Sequence, residues 1–324
     1  MHRILFFGTS DFAVPSLRAL HCDPRFEIVG IVTQPDRPVG RRAVVTAPAV
    51  KLAAGSWQLG IQIFQPEKLH DEAFASWIHE IGPMCEAFVV VSYGKILPQW
   101  LLDLPKHGVL NVHGSLLPKW RGPSPIQAAI ATGDEVTGVT IMKVDAEMDH
   151  GPILAQHDEL IRLDDTGGSL HDRLSMLGAQ ILPETLAQYL AGNLTRTAQD
   201  HTRATYCSLL TRENGKIDFT KSALEIERLI RAYDPWPGTW NVINGKRLKI
   251  LAARIGSRNV TQKPGERFVC DGFPCIACRD GTTLKIERLQ FEGASVTTGE
   301  EFIRGHAWNK KSLKVESLKV ESDF

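Results

Sequence analysis

The sequence predicts an α/β protein: a Rossmann-like, mostly parallel sheet with helices on both faces, followed by a small C-terminal OB-like β-barrel. Three observations predict it. Short Val-, Ile- and Phe-rich runs alternate with helix-like stretches through the first half, as expected of strands buried on both faces and joined by crossover helices. A polar, aperiodic stretch at 193–207 then breaks that texture. Beyond it, short alternating runs are separated by Asn-Gly, Asp-Gly and Lys-Pro-Gly turn signals, which mark small all-β units. A chain of 324 residues has room for two domains. The expected boundaries are 1–192, a linker at 193–207, a barrel at 208–310, and a disordered tail at 311–324 within which SLKVE repeats.

In order, RILFFG (3–8) reads as a buried strand, FAVPSLRAL (12–20) as a helix and EIVGIVT (27–33) as a second strand. AFVVVSYG (87–94) and HGVLNVH (107–113) follow as strands. TGVTIMKVD (137–145) and GPILAQHDEL (151–160) alternate like a strand pair, and a long helix spans 168–192. SALEIERLIRA is amphipathic and is stopped by Pro235 and Pro237, with Trp236 between them expected as a packing wedge against the barrel. TWNVI, RLKILAARI, FPCIAC and LKIERLQF supply the barrel strands.

Charge and cysteine content narrow the classes. The 37 basic and 37 acidic residues cancel, so no global field advertises a nucleic-acid or membrane partner. The cations are uneven, however, with seven against one acidic residue in 244–267, enough for a nucleic-acid platform on a small barrel. The first apolar run has four residues and no window reaches the roughly 20 a bilayer span needs. A cytosolic location is therefore expected, with all six cysteines as free thiols. The Cys275–Cys278 spacing resembles a metal or redox pair, but i and i+3 diverge in a strand and no second pair completes four ligands.

The chemistry gathers at two places. Asn111 and His113 sit two apart near the carboxyl end of a predicted strand, so they share a face where an amide and an imidazole reach one small ligand. Asp149 precedes a His-Gly-Pro turn after the next strand-like run. A carboxylate beside an imidazole favours its protonated form and fixes its orientation, and the three groups together suit the oxyanion of an acyl transfer. Ser115 lies outside any GxSxG elbow, so direct transfer is expected instead of a covalent intermediate. His150 should point away from Asp149 if the segment is extended. FFGTSDF has one Gly after the strand, so the dinucleotide fingerprint is absent.

NVHGSLLPKWRG together with MDHGPIL resembles the signature pair of the 10-formyltetrahydrofolate-dependent formyltransferases. FFGTSDFAVPSL, TQPDRPVGR, APAVK, FQPEKL, VVSYGKILP, RGPSPIQAAI and RAYDPWPG occur in the order and spacing of the methionyl-tRNA branch of that family, from residue 3 to beyond 290. The resemblance implies Asn111, His113 and Asp149 as catalytic positions, and Ser115, Leu116, Leu117 and Pro118 as a folate-contact turn. It places Lys95, Ile96 and Leu97 beside the pterin. It also implies 10-formyltetrahydrofolate as co-substrate, no metal, methionyl initiator tRNA as acceptor, and a monomer in the bacterial cytoplasm. An arm bearing Arg37, Arg41 and Arg42, and barrel residues Lys246, Arg247 and Lys249, would hold the tRNA. Where the family continues after Gly-Arg with Gly and a Lys pair, this chain has RAVV. A sugar-nucleotide formyltransferase, a folate hydrolase and a non-catalytic RNA-binding module remain as alternatives.

Overall fold

The computed structural model describes residues 1–39, 43–306 and 308. The chain forms two compact units, one of residues 1–126, 135–162 and 169–209, the other of 127–134, 163–168 and the chain from 210. Strands β1 (His2–Gly8), β2 (Phe26–Val32), β3 (Arg37–Val39), β4 (Val44–Thr46), β5 (Ile63–Phe64), β6 (Ala87–Val91), β7 (Val109–His113), β8 (Val136–Lys143) and β9 (Ile153–Leu160) lie in the first. The helices in order are α1 (Val14–Cys22), α2 (Ala49–Ser56), α3 (Glu72–Ile81), α4 (Gln99–Leu102), α5 (Pro125–Thr132) and α6 (Gly167–Leu190).

The main sheet has the order β5-β2-β1-β6-β7-β8-β9. Pairs from β5 to β7 are parallel; β8 runs antiparallel to β7, and β9 antiparallel to β8. The sheet is thus mostly parallel and flanked by helices, and its strands are apolar because both faces are covered. Ile4, Leu5, Phe6 and Phe7 are fully buried, each contributing roughly 1.5–3 kcal/mol on burial. Edge strand β9 instead exposes Gln156, His157 and Asp158, polar side chains that discourage further strand pairing. The chain leaves β1 for β2 and returns to β6 on the other side, which creates a switch point beyond the carboxyl ends of β1 and β6. There Thr9 Oγ1 donates to the Tyr93 carbonyl (2.8 Å) and Ser10 Oγ to Ser92 Oγ (2.7 Å).

In the second unit, α7 (Ala223–Ala232) begins with a capping box in which Ser222 and Glu225 satisfy each other's backbone N–H groups. Strands β10 (Thr239–Ile243), β11 (Lys246–Ile255), β12 (Arg267–Cys270), β13 (Phe273–Ala277), β14 (Thr283–Phe291) and β15 (Thr297–Thr298) precede α8 (Gly299–Gly305). Their antiparallel order is β10-β11-β14-β13-β12, with β15 on β14. Among the described residues β10 and β12 do not pair, so the sheet is open where a closed barrel was expected. Ile226 and Ile230 of α7 pack with Leu248, Ile250, Leu284 and Ile286 in its core.

Two expectations need correction. Cys270 and Cys275 form a disulfide, with Cα atoms 6.1 Å apart. They lie across the β12–β13 turn, where Cys270 faces Phe273 and therefore shares a sheet face with Cys275. Spacing along one strand missed this cross-strand neighbour; Cys22, Cys85, Cys207 and Cys278 are free thiols. Trp236 is 50% exposed and is no buried wedge. Trp240, on β10, is the buried indole nearby in sequence, with its N–H on the Arg212 carbonyl (2.9 Å). The expected tail at 311–324 lies outside the described residues.

Candidate active site

Strand β7 ends at His113 between parallel β6 and antiparallel β8, where His113 faces Thr140. The chain then turns back on itself through 114–122. Thr140 Oγ1 braces that turn by donating to the Ser115 carbonyl (2.6 Å) while accepting from Leu117 N–H (3.1 Å) and the Gln156 amide (2.9 Å). One hydroxyl thereby uses its donor and both lone pairs. Fully buried Ser115 donates its own hydroxyl to the Lys119 carbonyl, so it holds the turn and is not poised as a nucleophile. Leu117 is buried, Leu116 and Pro118 are partly exposed, and the Leu117–Pro118 peptide is cis.

The geometry brings Asn111, His113 and Asp149 together. Asp149 Oδ1 accepts from Asn111 Nδ2 at 3.4 Å, and Oδ2 accepts from the Gly122 N–H at 2.8 Å. His113 Nδ1 stands 3.7 Å from Asp149 Oδ2, with both side chains largely buried. His113 Nε2 lies 2.9 Å from the Trp120 carbonyl. Since a carbonyl only accepts, Nε2 carries hydrogen, and Nδ1 is the ring atom left to exchange a proton with the carboxylate side. The 3.7 Å gap is longer than a hydrogen bond, and such contacts tighten when an active site is loaded.

Asp149 adopts φ 49°, so the segment is not extended and the expected reason for setting His150 aside does not hold. His150 is nonetheless engaged elsewhere: Nδ1 meets Asp145 Oδ2 at 2.8 Å, and its ring stacks on His201 with centroids 4.0 Å apart. The polar stretch after 193 runs along this unit. It bridges β9 through Ile153 and Thr197 and bridges Arg121 through Tyr206. Arg121 (2% exposed) and Gln199 (5%) are buried partners there that sequence reasoning missed. They are 78 residues apart, and neither belongs to a periodic pattern that would have flagged it.

The other expected contacts are distributed. Lys95 Nζ donates to the Pro66 and Glu67 carbonyls (2.9 and 2.7 Å), and burial holds its pKa below the usual lysine value. Leu97 is buried in the core beside Tyr93, whereas Ile96 is 73% exposed. Arg37 pairs with Glu67 at 2.6 Å; Arg41 and Arg42 lie outside the described residues. In the other unit Arg247 and Lys249 share the outward face of β11, since Leu248 and Ile250 between and after them are buried. Arg247 lies over the Trp240 ring at 4.2 Å, and Lys246 is exposed at the strand start. Among the described residues no group of three His, Cys, Asp or Glu could hold a metal ion, and no helix is long and apolar enough to cross a membrane.

A mostly parallel sheet presenting an amide, an imidazole and a carboxylate beyond one strand end defines an α/β enzyme equipped for acyl-group transfer. Comparison narrows this class. Residues 2–186 match the formyl transferase model and 209–307 the formyl transferase C-terminal domain, so the chain belongs to the formyl transferase family. It is 42% identical over 306 residues to a methionyl-tRNA formyltransferase of Myxococcus xanthus, covering 94% of this chain and 95% of that relative. With one from a Roseiflexus species it shares 46% over 304 residues, covering 94% and 92%. A solved sugar 3N-formyl transferase with dTDP and 5-N-formyl-THF superposes with TM-score 0.66 at 20% identity, over 91% of this chain and 99% of that one. At that identity the likeness speaks for the fold.

Proposed function

We propose that this chain transfers the formyl group of 10-formyltetrahydrofolate to the α-amine of methionyl initiator tRNA, in the bacterial cytoplasm and as a monomer. The observation that carries the reading is the convergence of Asn111, His113 and Asp149 beyond β7. The methionyl-tRNA formyltransferases similar to it along 94% of its length support the acceptor. Functionally we divide the chain into a folate-binding catalytic part at 1–192, a connecting stretch at 193–207 and an OB-like tRNA platform at 208–310.

The donor supplies a formyl group on N10, activated for direct transfer. The residues present fit it: Asn111 gives one amide hydrogen to Asp149, and the second is free for an acceptor oxygen. Asn111 donates to the formyl oxygen as charge develops, and His113 presents Nδ1 between that oxygen and Asp149 while Nε2–H stays on the Trp120 carbonyl. Asp149 orients His113, directly or through one water, and accepts a proton from the attacking amine. The same pair returns that proton to N10 as the C–N bond breaks, so protons balance. Ser115 to Pro118 form the folate-contact turn, and Lys95, Ile96 and Leu97 line the pterin side near the switch point. Arg37, Arg41, Arg42, Lys246, Arg247 and Lys249 contact tRNA phosphates.

The test is transfer of labelled formyl from the folate donor to three acceptors: charged initiator tRNA, a dTDP-amino sugar, and water. Label in formylmethionyl-tRNA supports the reading. Label in the sugar, or free formate with no amine present, replaces it with one of the other activities.

A further inference from the structure

We infer that Gln199 is a positioning residue for the transfer reaction, acting through the backbone that carries Asp149; the inference rests on reading Asn111, His113 and Asp149 as the formyl-transfer site. The buried Gln199 amide donates from Nε2 to two carbonyls at once, Asp149 O and Gly151 O, each at 2.8 Å. Its two amide hydrogens are therefore both spent on the turn that aims the carboxylate. That turn needs holding. Asp149 has positive φ, a region that side-chain-bearing residues enter uncommonly, though Asp more readily than most, so contacts that hold the turn favour it. On the other side the turn presses on β8, since a methyl group at Gly151 would overlap the Lys143 carbonyl.

Gln199 is itself fixed. Its Oε1 accepts from Arg121 Nε (3.2 Å) and from a second guanidinium nitrogen (2.7 Å). Arg121 also reaches His201 Nδ1 at 2.8 Å and Tyr206 Oη at 3.4 Å. The next residue, Gly122, donates its N–H to Asp149 Oδ2. Asp149 is thus clasped at both ends: the Arg121 side chain governs its main-chain carbonyl through Gln199, and the backbone just after Arg121 governs its carboxylate. The stretch containing Gln199 serves the reaction by aiming a carboxylate, without touching the formyl group.

The test compares the parent chain with Gln199→Glu and Gln199→Ala. Glu keeps an acceptor for Arg121 but has no N–H for the two carbonyls, so it removes the proposed role while preserving the anchor. The predicted result is that Gln199→Glu, which leaves two buried carbonyls unpaired, unfolds below the parent temperature but is folded at the assay temperature, keeps KM for both substrates and loses roughly 100-fold in kcat, the scale of a 1 Å misplacement. Exchange of the Gly122 amide, read by NMR, rises in that variant while β7 and β8 amides stay as in the parent. Parent-like kcat and parent-like Gly122 exchange in both variants overturn the inference and leave formyl transfer intact. A general rise in exchange across the unit also overturns it, as that marks a purely structural residue. If the parent formylates no Met-tRNA, the functional reading fails, and Gly122 exchange alone decides the fate of Gln199.

Discussion

Replacing Gly8 by Ala tests whether the switch point is as tightly packed as the structure shows. A methyl at Gly8 would stand 2.6 Å from Phe6 Cε1, 2.9 Å from Ala13 Cβ and 3.2 Å from the Val91 carbonyl. Carbon atoms rest at about 3.5–4.0 Å, so the Phe6 ring must retreat by about 0.9 Å. Phe6 is fully buried and has no solvent to retreat into. Overpacking of this kind costs about 1–3 kcal/mol, and each kcal/mol lowers Tm by roughly 2–4 °C in a domain of this size. The same substitution at Gly55, inside α2 with nothing within 4 Å of the new methyl, should stabilise by about 0.5–1 kcal/mol. Thermal and denaturant unfolding of the two variants side by side decide it. A Gly8→Ala protein as stable as the parent, or a Gly55→Ala protein less stable than it, would refute the packing argument.

Asn111→Ala should lower formyl-transfer turnover by about 10²- to 10³-fold with tRNA affinity unchanged, measured by single-turnover assay and filter binding. His171 and Asp11 give a pH-dependent contribution to stability: the hydrogen bond to Asp11 raises the imidazole against opposing burial, and the same bond lowers the carboxyl. The raised group stabilises below its ordinary value of 6.5 and loses that effect as pH rises through the raised one; the lowered group stabilises above 3.8 and loses it on acidification. His171→Gln should therefore cost most between these values, by about 0.2–1 kcal/mol more than in alkali because Asp11 is exposed, the remainder being the pH-independent packing of the ring on Phe12; equal cost at all pH contradicts the pairing. Arg247→Gln with Lys249→Gln should reduce the log–log salt dependence of tRNA binding by about two, and an unchanged slope removes β11 from the interface.

Much of the first unit was legible because buried parallel strands leave uninterrupted apolar runs, as in Ile4–Phe7 and Ala87–Val91. Asn111 and His113 were legible because alternation puts residues two apart on one face, and Asp149 lies 3.4 Å from Asn111 Nδ2 and 3.7 Å from His113 Nδ1. The hairpin of β3 and β4 was not, since its strands have three residues each and β4 is exposed. The backbone conformation at Asp149 was not legible, because positive φ in a non-glycine residue leaves no mark in the sequence. Residues 193–207 look aperiodic because their partners, among them Arg121 and the Asp149 carbonyl, come from elsewhere in the chain. A ladder has a period; a set of side-chain-to-backbone bonds to distant turns has none.

Formyl transfer at this site requires three side chains to meet at one reacting carbon, and a crystal structure with a non-transferable formyl-folate analogue examines that directly. It should place the formyl oxygen within about 3.2 Å of Asn111 Nδ2 or His113 Nδ1, with Asp149 still on the Gly122 N–H. A formyl group bound beyond hydrogen-bond reach of all three, with the folate otherwise fully ordered, would contradict it.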